Sequence, residues 1–155
     1  MFVGCYTRKV QRGGWLRFPK EWLPFIGDHR TVFIMPDPDK NKSLLLVMSD
    51  DFNRELERMK DKNVPSESLE TLAKIVVQVK VTADGRMQIP ARLLAHAGIT
   101  GDVCFSGNMR TIALSQKHSI SFRHIGGQCF GNRLHFHALL NYTHVKNRNT
   151  CKVAV

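Results

Sequence analysis

Four cations, Arg8, Lys9, Arg12 and Arg17, stand around the Gly13-Gly14 pair, with Trp15 beside it. Lys80 and Arg86 flank a second such pair, Asp84-Gly85. Lys and Arg reach phosphate oxygens, and an Arg fork also pairs with guanine edges in the major groove. Cations gathered on tight turns therefore predict a nucleic-acid-binding set of Arg8, Lys9, Arg12, Arg17, Lys80 and Arg86. The competing reading is a solvated hairpin face. Trp15 and Trp22 are aromatic anchors, read here as an oligomer interface.

These side chains need elements to hold them. Val77, Val79 and Val81 alternate with Gln78, Lys80 and Thr82. That is the period of a strand with one buried face. Asp84-Gly85 turns the chain, because Gly takes positive φ freely and Asp tolerates it. Met87 and Ile89 resume the alternation, Pro90 suits the start of a helix, and Gly98 suits its left-handed end. The pattern predicts strands over 76–82 and 87–89 paired with each other across Asp84-Gly85.

The unit occurs twice. The offset that carries Val10 onto Val81 also carries Gly14 onto Gly85, Leu16 onto Met87, Phe18 onto Ile89, Pro19 onto Pro90 and Gly27 onto Gly98. Each copy is followed by a further β-like run, at 31–35 and 102–106. An internal repeat with a pseudo-twofold relation follows. Each hairpin is too small to bury its own apolar face, so the two copies are expected to interleave.

With its Met1-Phe2-Val3-Gly4 start, its repeat spacing and the run Asp84-Gly85-Arg86-Met87-Gln88-Ile89-Pro90, the chain resembles the MraZ family of bacterial transcriptional regulators over residues 1–116. In that family each half carries an Asp, three residues, then an Arg after the turn glycine. Here the two places hold Gln11 and Trp15 in the first copy, and Thr82 and Arg86 in the second. The resemblance implies an α+β fold of two pseudo-symmetric swapped-hairpin (SpoVT-AbrB-like) β repeats interleaved in one barrel-like core, with two helices between them. It implies a first repeat at 1–49, a helical connection at 50–75 and a second repeat at 76–116; beyond it, residues 117–155 are a basic, His-rich tail that departs from the family pattern. It also implies a repressor of the division and cell-wall gene cluster, its own promoter included, that binds direct repeats in double-stranded DNA as a ring-forming homo-oligomer.

Composition agrees with a polyanionic partner. The chain of 155 residues carries a formal net charge of +10. Residues 117–155 hold six of the 23 Lys and Arg and none of the 13 Asp and Glu. No apolar run approaches the ~18 residues of a spanning helix, so no membrane partner is expected. The start, Met1 to Gly14, lacks the apolar core of a secretory signal. Cys5, Cys104, Cys129 and Cys151 are far apart and form no CxxC pair, which favours a cytoplasmic protein with reduced thiols; the DNA-binding reading adds nucleoid association.

Between the copies, Phe52, Leu56 and Met59 share one helical face, with Asp50 or Asp51 as cap, and Ser66 opens a second helix bearing Leu69, Leu72, Ala73 and Val76. Asp37 and Asp39 lack the spaced ligands of a calcium loop. In the tail, Cys129, His135, His137, His144 and Cys151 match no paired zinc-ligand spacing, and a basic extension is the simpler reading. No phosphate loop, nucleophile elbow or HExxH pair occurs. No metal, cofactor or catalytic residue is assigned. The sequence points to a DNA-binding module rather than an enzyme; the alternative is a ring-forming protein-interaction scaffold with reduced DNA affinity.

Overall fold

The computed structural model describes residues 1–40 and 42–117. The zinc reading of the tail and its basic extension fall outside these residues. Strands run at β1 (Cys5–Lys9), β2 (Trp15–Arg17), β3 (Thr31–Pro36), β4 (Ser43–Met48), β5 (Val77–Lys80), β6 (Arg86–Gln88), β7 (Asp102–Asn108) and β8 (Thr111–Gln116). Helices are α1 (Ser49–Asp61), α2 (Ser66–Ile75) and α3 (Ala91–Ala97), with 3-10 turns at Arg12–Gly14 and Lys20–Phe25.

The architecture is α+β. One antiparallel sheet has the order β1-β7-β8-β4-β3-β5, and a separate ribbon pairs β2 with β6. The sheet is open, with β1 and β5 at its edges. The barrel-like core expected from the sequence is thus not closed: among the described residues neither edge strand has a second partner.

The strand pairing also corrects the expected hairpins. β5 pairs with β3, and β6 pairs with β2, rather than with each other. Across the Asp84-Gly85 turn the backbone bonds are Thr82 N–H to the Arg86 carbonyl, 2.8 Å, and Gly85 N–H to the Thr82 carbonyl, 2.9 Å. Alternation marks which face of a strand is buried but not which strand lies beside it. Here β5 and β6 take their partners from residues 15–36, the other half of the offset.

The registers of the paired strands are related by a single offset. The offset carrying Val10 onto Val81 converts the pair Tyr6↔Phe105 into Val77↔Ile34, and Lys9↔Asp102 into Lys80↔Thr31. It converts Trp15↔Gln88 into Arg17↔Arg86 within the ribbon, and leaves Leu16↔Met87 on the pseudo-axis.

Two apolar layers result. Leu16, Phe18, Met87 and Ile89 pack beneath the ribbon against Val32, Ile34, Leu44, Leu46, Phe105, Ile112 and Leu114 of the sheet. On the opposite face, Met35 and Val47 meet Phe52, Met59 and Leu72 of α1 and α2, and Phe33 stacks on Phe52 with centroids 4.2 Å apart. Alternate residues of β3 and β4 thus serve both layers, as period-2 side chains do. α1 starts one residue before the expected caps. Asp50 and Asp51 lie in its first turn and make no side-chain cap bond; there their charge favours the helix dipole. Gly98 ends α3 in the left-handed conformation, φ 64°.

Cys5 and Cys104 form a disulfide between edge strand β1 and β7, Cα atoms 6.6 Å apart. This departs from the expectation of reduced thiols: the interleaved pairing brings together cysteines that stand far apart in sequence.

Candidate nucleic-acid interface

The β2–β6 ribbon carries two of the six candidate cations on one exposed face. On β2 and β6 the central Leu16 and Met87 are buried, whereas Trp15, Arg17, Arg86 and Gln88 are exposed. Strand alternation explains the division: the apolar pair seals the core and the four flanking residues share the outer face. Register then sets Arg17 opposite Arg86 and Trp15 opposite Gln88. The ribbon therefore has a cationic end and an aromatic–amide end, though its backbone is nearly symmetric.

Each end is fixed by its turn. At the cationic end Arg86 Nε and Thr82 Oγ1 donate to the two carboxylate oxygens of Asp84. Arg86 N–H donates to Thr82 Oγ1 at 2.9 Å. From below, Arg30 Nη1 donates to the carbonyls of Thr82, 3.3 Å, and Ala83, 3.1 Å. The hydrogen bond from Thr82, and then that from Arg86, hold the Asp84 carboxyl well below its usual range, at about 2. At the other end the bonds are sparser: Gln11 N–H to the Trp15 carbonyl, 2.7 Å, Gly14 N–H to the Gln11 carbonyl, 3.1 Å, and Gln88 Nε2 to the Gly13 carbonyl, 2.8 Å.

Gly14 is required there by shape. Its φ is +80°, and a Cβ would stand 2.2 Å from the Ile89 carbonyl oxygen across the ribbon. Only glycine fits this close approach.

The six cations named from sequence do not form one cluster. Arg17 and Arg86 lie on the ribbon, and exposed Arg12 lies in the turn beside it. Arg8 shares the parity of Tyr6 on β1; its guanidinium sits 5.6 Å from the Tyr6 ring centroid and 4.0 Å from Glu21 Oε2. Lys9 and Lys80 occupy equivalent places on the two edge strands, opposite Asp102 and Thr31. Lys80 lines an open polar cleft with His29, Thr31, Ser49 and Gln78.

Trp22, read from sequence as core and interface, lies in the core. It is 2% exposed and packs edge-to-face against Phe2, Tyr6 and Phe18, so it anchors the chain's own core. Trp15 remains at the surface. The exposed apolar residues lie mostly elsewhere: Met1, Val3, Phe25 and Met109 gather around Phe2, which bonds to Met109 and contacts the Phe25 ring.

Thr82, Asp84, Arg30 and Gln88 were not among the sequence candidates. For Gln88 the signal was available, since it shares the parity of Arg86. For Thr82 and Asp84 it lay in their flanking of the turn.

No helix among the described residues is long and apolar enough to cross a membrane. No known family model matches the chain, and no curated protein matches it.

Proposed function

We propose that the chain is a sequence-specific DNA-binding transcriptional regulator that lays the outer face of the β2–β6 ribbon into the major groove. The observation that carries this reading is Arg17 directly opposite Arg86 on an exposed two-stranded ribbon. Like charges placed opposite one another disfavour the ribbon in isolation. A polyanion between them reverses the sign of that term. A ribbon of this width fits the groove, Arg pairs with guanine, and Gln88 has the amide that pairs with adenine. Trp15 offers a flat surface beside them.

Cross-pairing of the two copies supports the finer reading of swapped-hairpin repeats of the MraZ type. By that resemblance the target is a set of direct repeats in a promoter, within the division and cell-wall cluster, and the protein is nucleoid-associated. Binding rather than catalysis is its activity.

Mobility-shift titrations on duplexes with one, two and four direct repeats test it. Binding should tighten with repeat number, because linked sites raise effective concentration. Affinity per site that does not change with repeat number would remove the multivalent reading, and absence of any shift would remove DNA binding.

A second reading rests on the apolar patch of Met1, Val3, Phe25 and Met109. Such a surface favours a homo-oligomeric scaffold, and light scattering of the Met109→Lys variant would show whether association depends on it.

A further inference from the structure

We propose that Asp84 is a positioning residue that sets sequence discrimination, by holding the Arg86 guanidinium in one orientation toward the groove. This rests on the DNA-binding reading above.

Among the described residues Arg86 Nε bonds to Asp84, and its two terminal nitrogens have no protein partner. Those two nitrogens are the pair that meets guanine O6 and N7 end-on. An unrestrained Arg on a turn has several rotamers and reaches the nearest phosphate, which carries no sequence information. The carboxylate removes that freedom before DNA arrives, and preorganisation of this kind lowers the cost of the specific contact. Asp84 is itself held: Thr82 Oγ1 occupies its other oxygen, and Arg30 braces the Thr82 and Ala83 carbonyls. The side chains of Arg86 and Asp84 remain 54% and 48% exposed, so the pair is open to a ligand.

A carboxylate on a DNA-facing turn also repels phosphate. It should therefore lower affinity for every duplex while raising the difference between them. The equivalent turn has Gly13 in the place of Asp84 and Trp15 in that of Arg86, so it holds no such clamp. Guanine discrimination that depends on a clamped guanidinium should therefore come from the cationic end of the ribbon.

The test uses the full chain. Duplexes enriched by the wild type from a randomised pool are compared with a scrambled duplex of the same composition at fixed salt. For Asp84→Ala, affinity for the scrambled duplex should rise and the ratio of enriched to scrambled binding should fall about tenfold. Thr82→Val keeps the charge but frees one carboxylate oxygen; its ratio should fall without the rise in scrambled binding. A purely structural role would weaken both duplexes alike, and that result would overturn the proposal. An unchanged ratio in Asp84→Ala would overturn it too, leaving the DNA reading intact. A wild type that binds no duplex would defeat the DNA reading and this proposal with it.

Discussion

Arg17 and Arg86 face each other across the β2–β6 ribbon, both exposed, and of the two only Arg86 has a carboxylate partner, Asp84, among the described residues. The opposed charges belong to the outer face of a ribbon whose inner face, Leu16 and Met87, is sealed. Core formation therefore does not call for them.

Removing one of the two charges should separate stability from binding. Arg17→Thr is expected to stabilise the free protein by up to about 0.5 kcal/mol in urea, since a repulsive cross-strand pair is lost. Its affinity for duplex DNA should fall at the same time. A variant weaker in both would mean that Arg17 supports the fold.

Gly14→Ala should be costly. The left-handed φ of +80° and the 2.2 Å approach to the Ile89 carbonyl act together, and roughly 2–4 kcal/mol is expected. At Gly27 a Cβ meets nothing within 4 Å, so only the conformational term, about 1 kcal/mol, applies. Urea midpoints of the two variants give the comparison directly.

The Cys5–Cys104 disulfide closes a loop of sequence separation 99 and ties edge strand β1 to β7. Reduction should lower stability by roughly 2–4 kcal/mol, the usual range for such a cross-link. Urea unfolding with and without a dithiol reductant measures it. The Cys5→Ser/Cys104→Ser double variant should show no reductant effect.

Asp84 gives a pH signature. Its carboxyl is depressed from 3.8 to about 2 in the folded protein. A depressed carboxylate contributes stability above its unfolded value, and that contribution is lost as pH falls through the folded value. The Thr82–Asp84–Arg86 cluster of the folded protein should thus be unchanged from pH 8 to about pH 4 and should open with a midpoint near pH 2. The Arg86 Nε–H resonance reports this, and Asp84→Asn should abolish the transition.

Much of the fold was legible. The β-like runs at 31–35 and 102–106 marked β3 and β7, and the shared face of Phe52, Leu56 and Met59 marked α1. Partners were not legible, because the alternation of Val77 and Val79 fits any neighbour that buries the same face. Interleaving then decided what local pattern left open: it joined Cys5 to Cys104 and enclosed Trp22 among Phe2, Tyr6 and Phe18. Arg8 looked like Arg12 from charge alone. Its shared parity with Tyr6 was the signal that it turns inward. Asp84 had no carboxylate partner in the repeat, which concealed its role toward a cation two residues away.

Amide and side-chain NMR of the isotope-labelled full chain, titrated with duplex DNA, most directly examines the ribbon as the DNA-reading surface. The expected result is shifts at the Trp15 indole N–H, the Arg17 and Arg86 Nε–H and the Gln88 side-chain amide, with the buried Trp22 indole unmoved. Shifts confined to the Met1, Val3, Phe25 and Met109 patch, or to the edge-strand lysines Lys9 and Lys80, would contradict it.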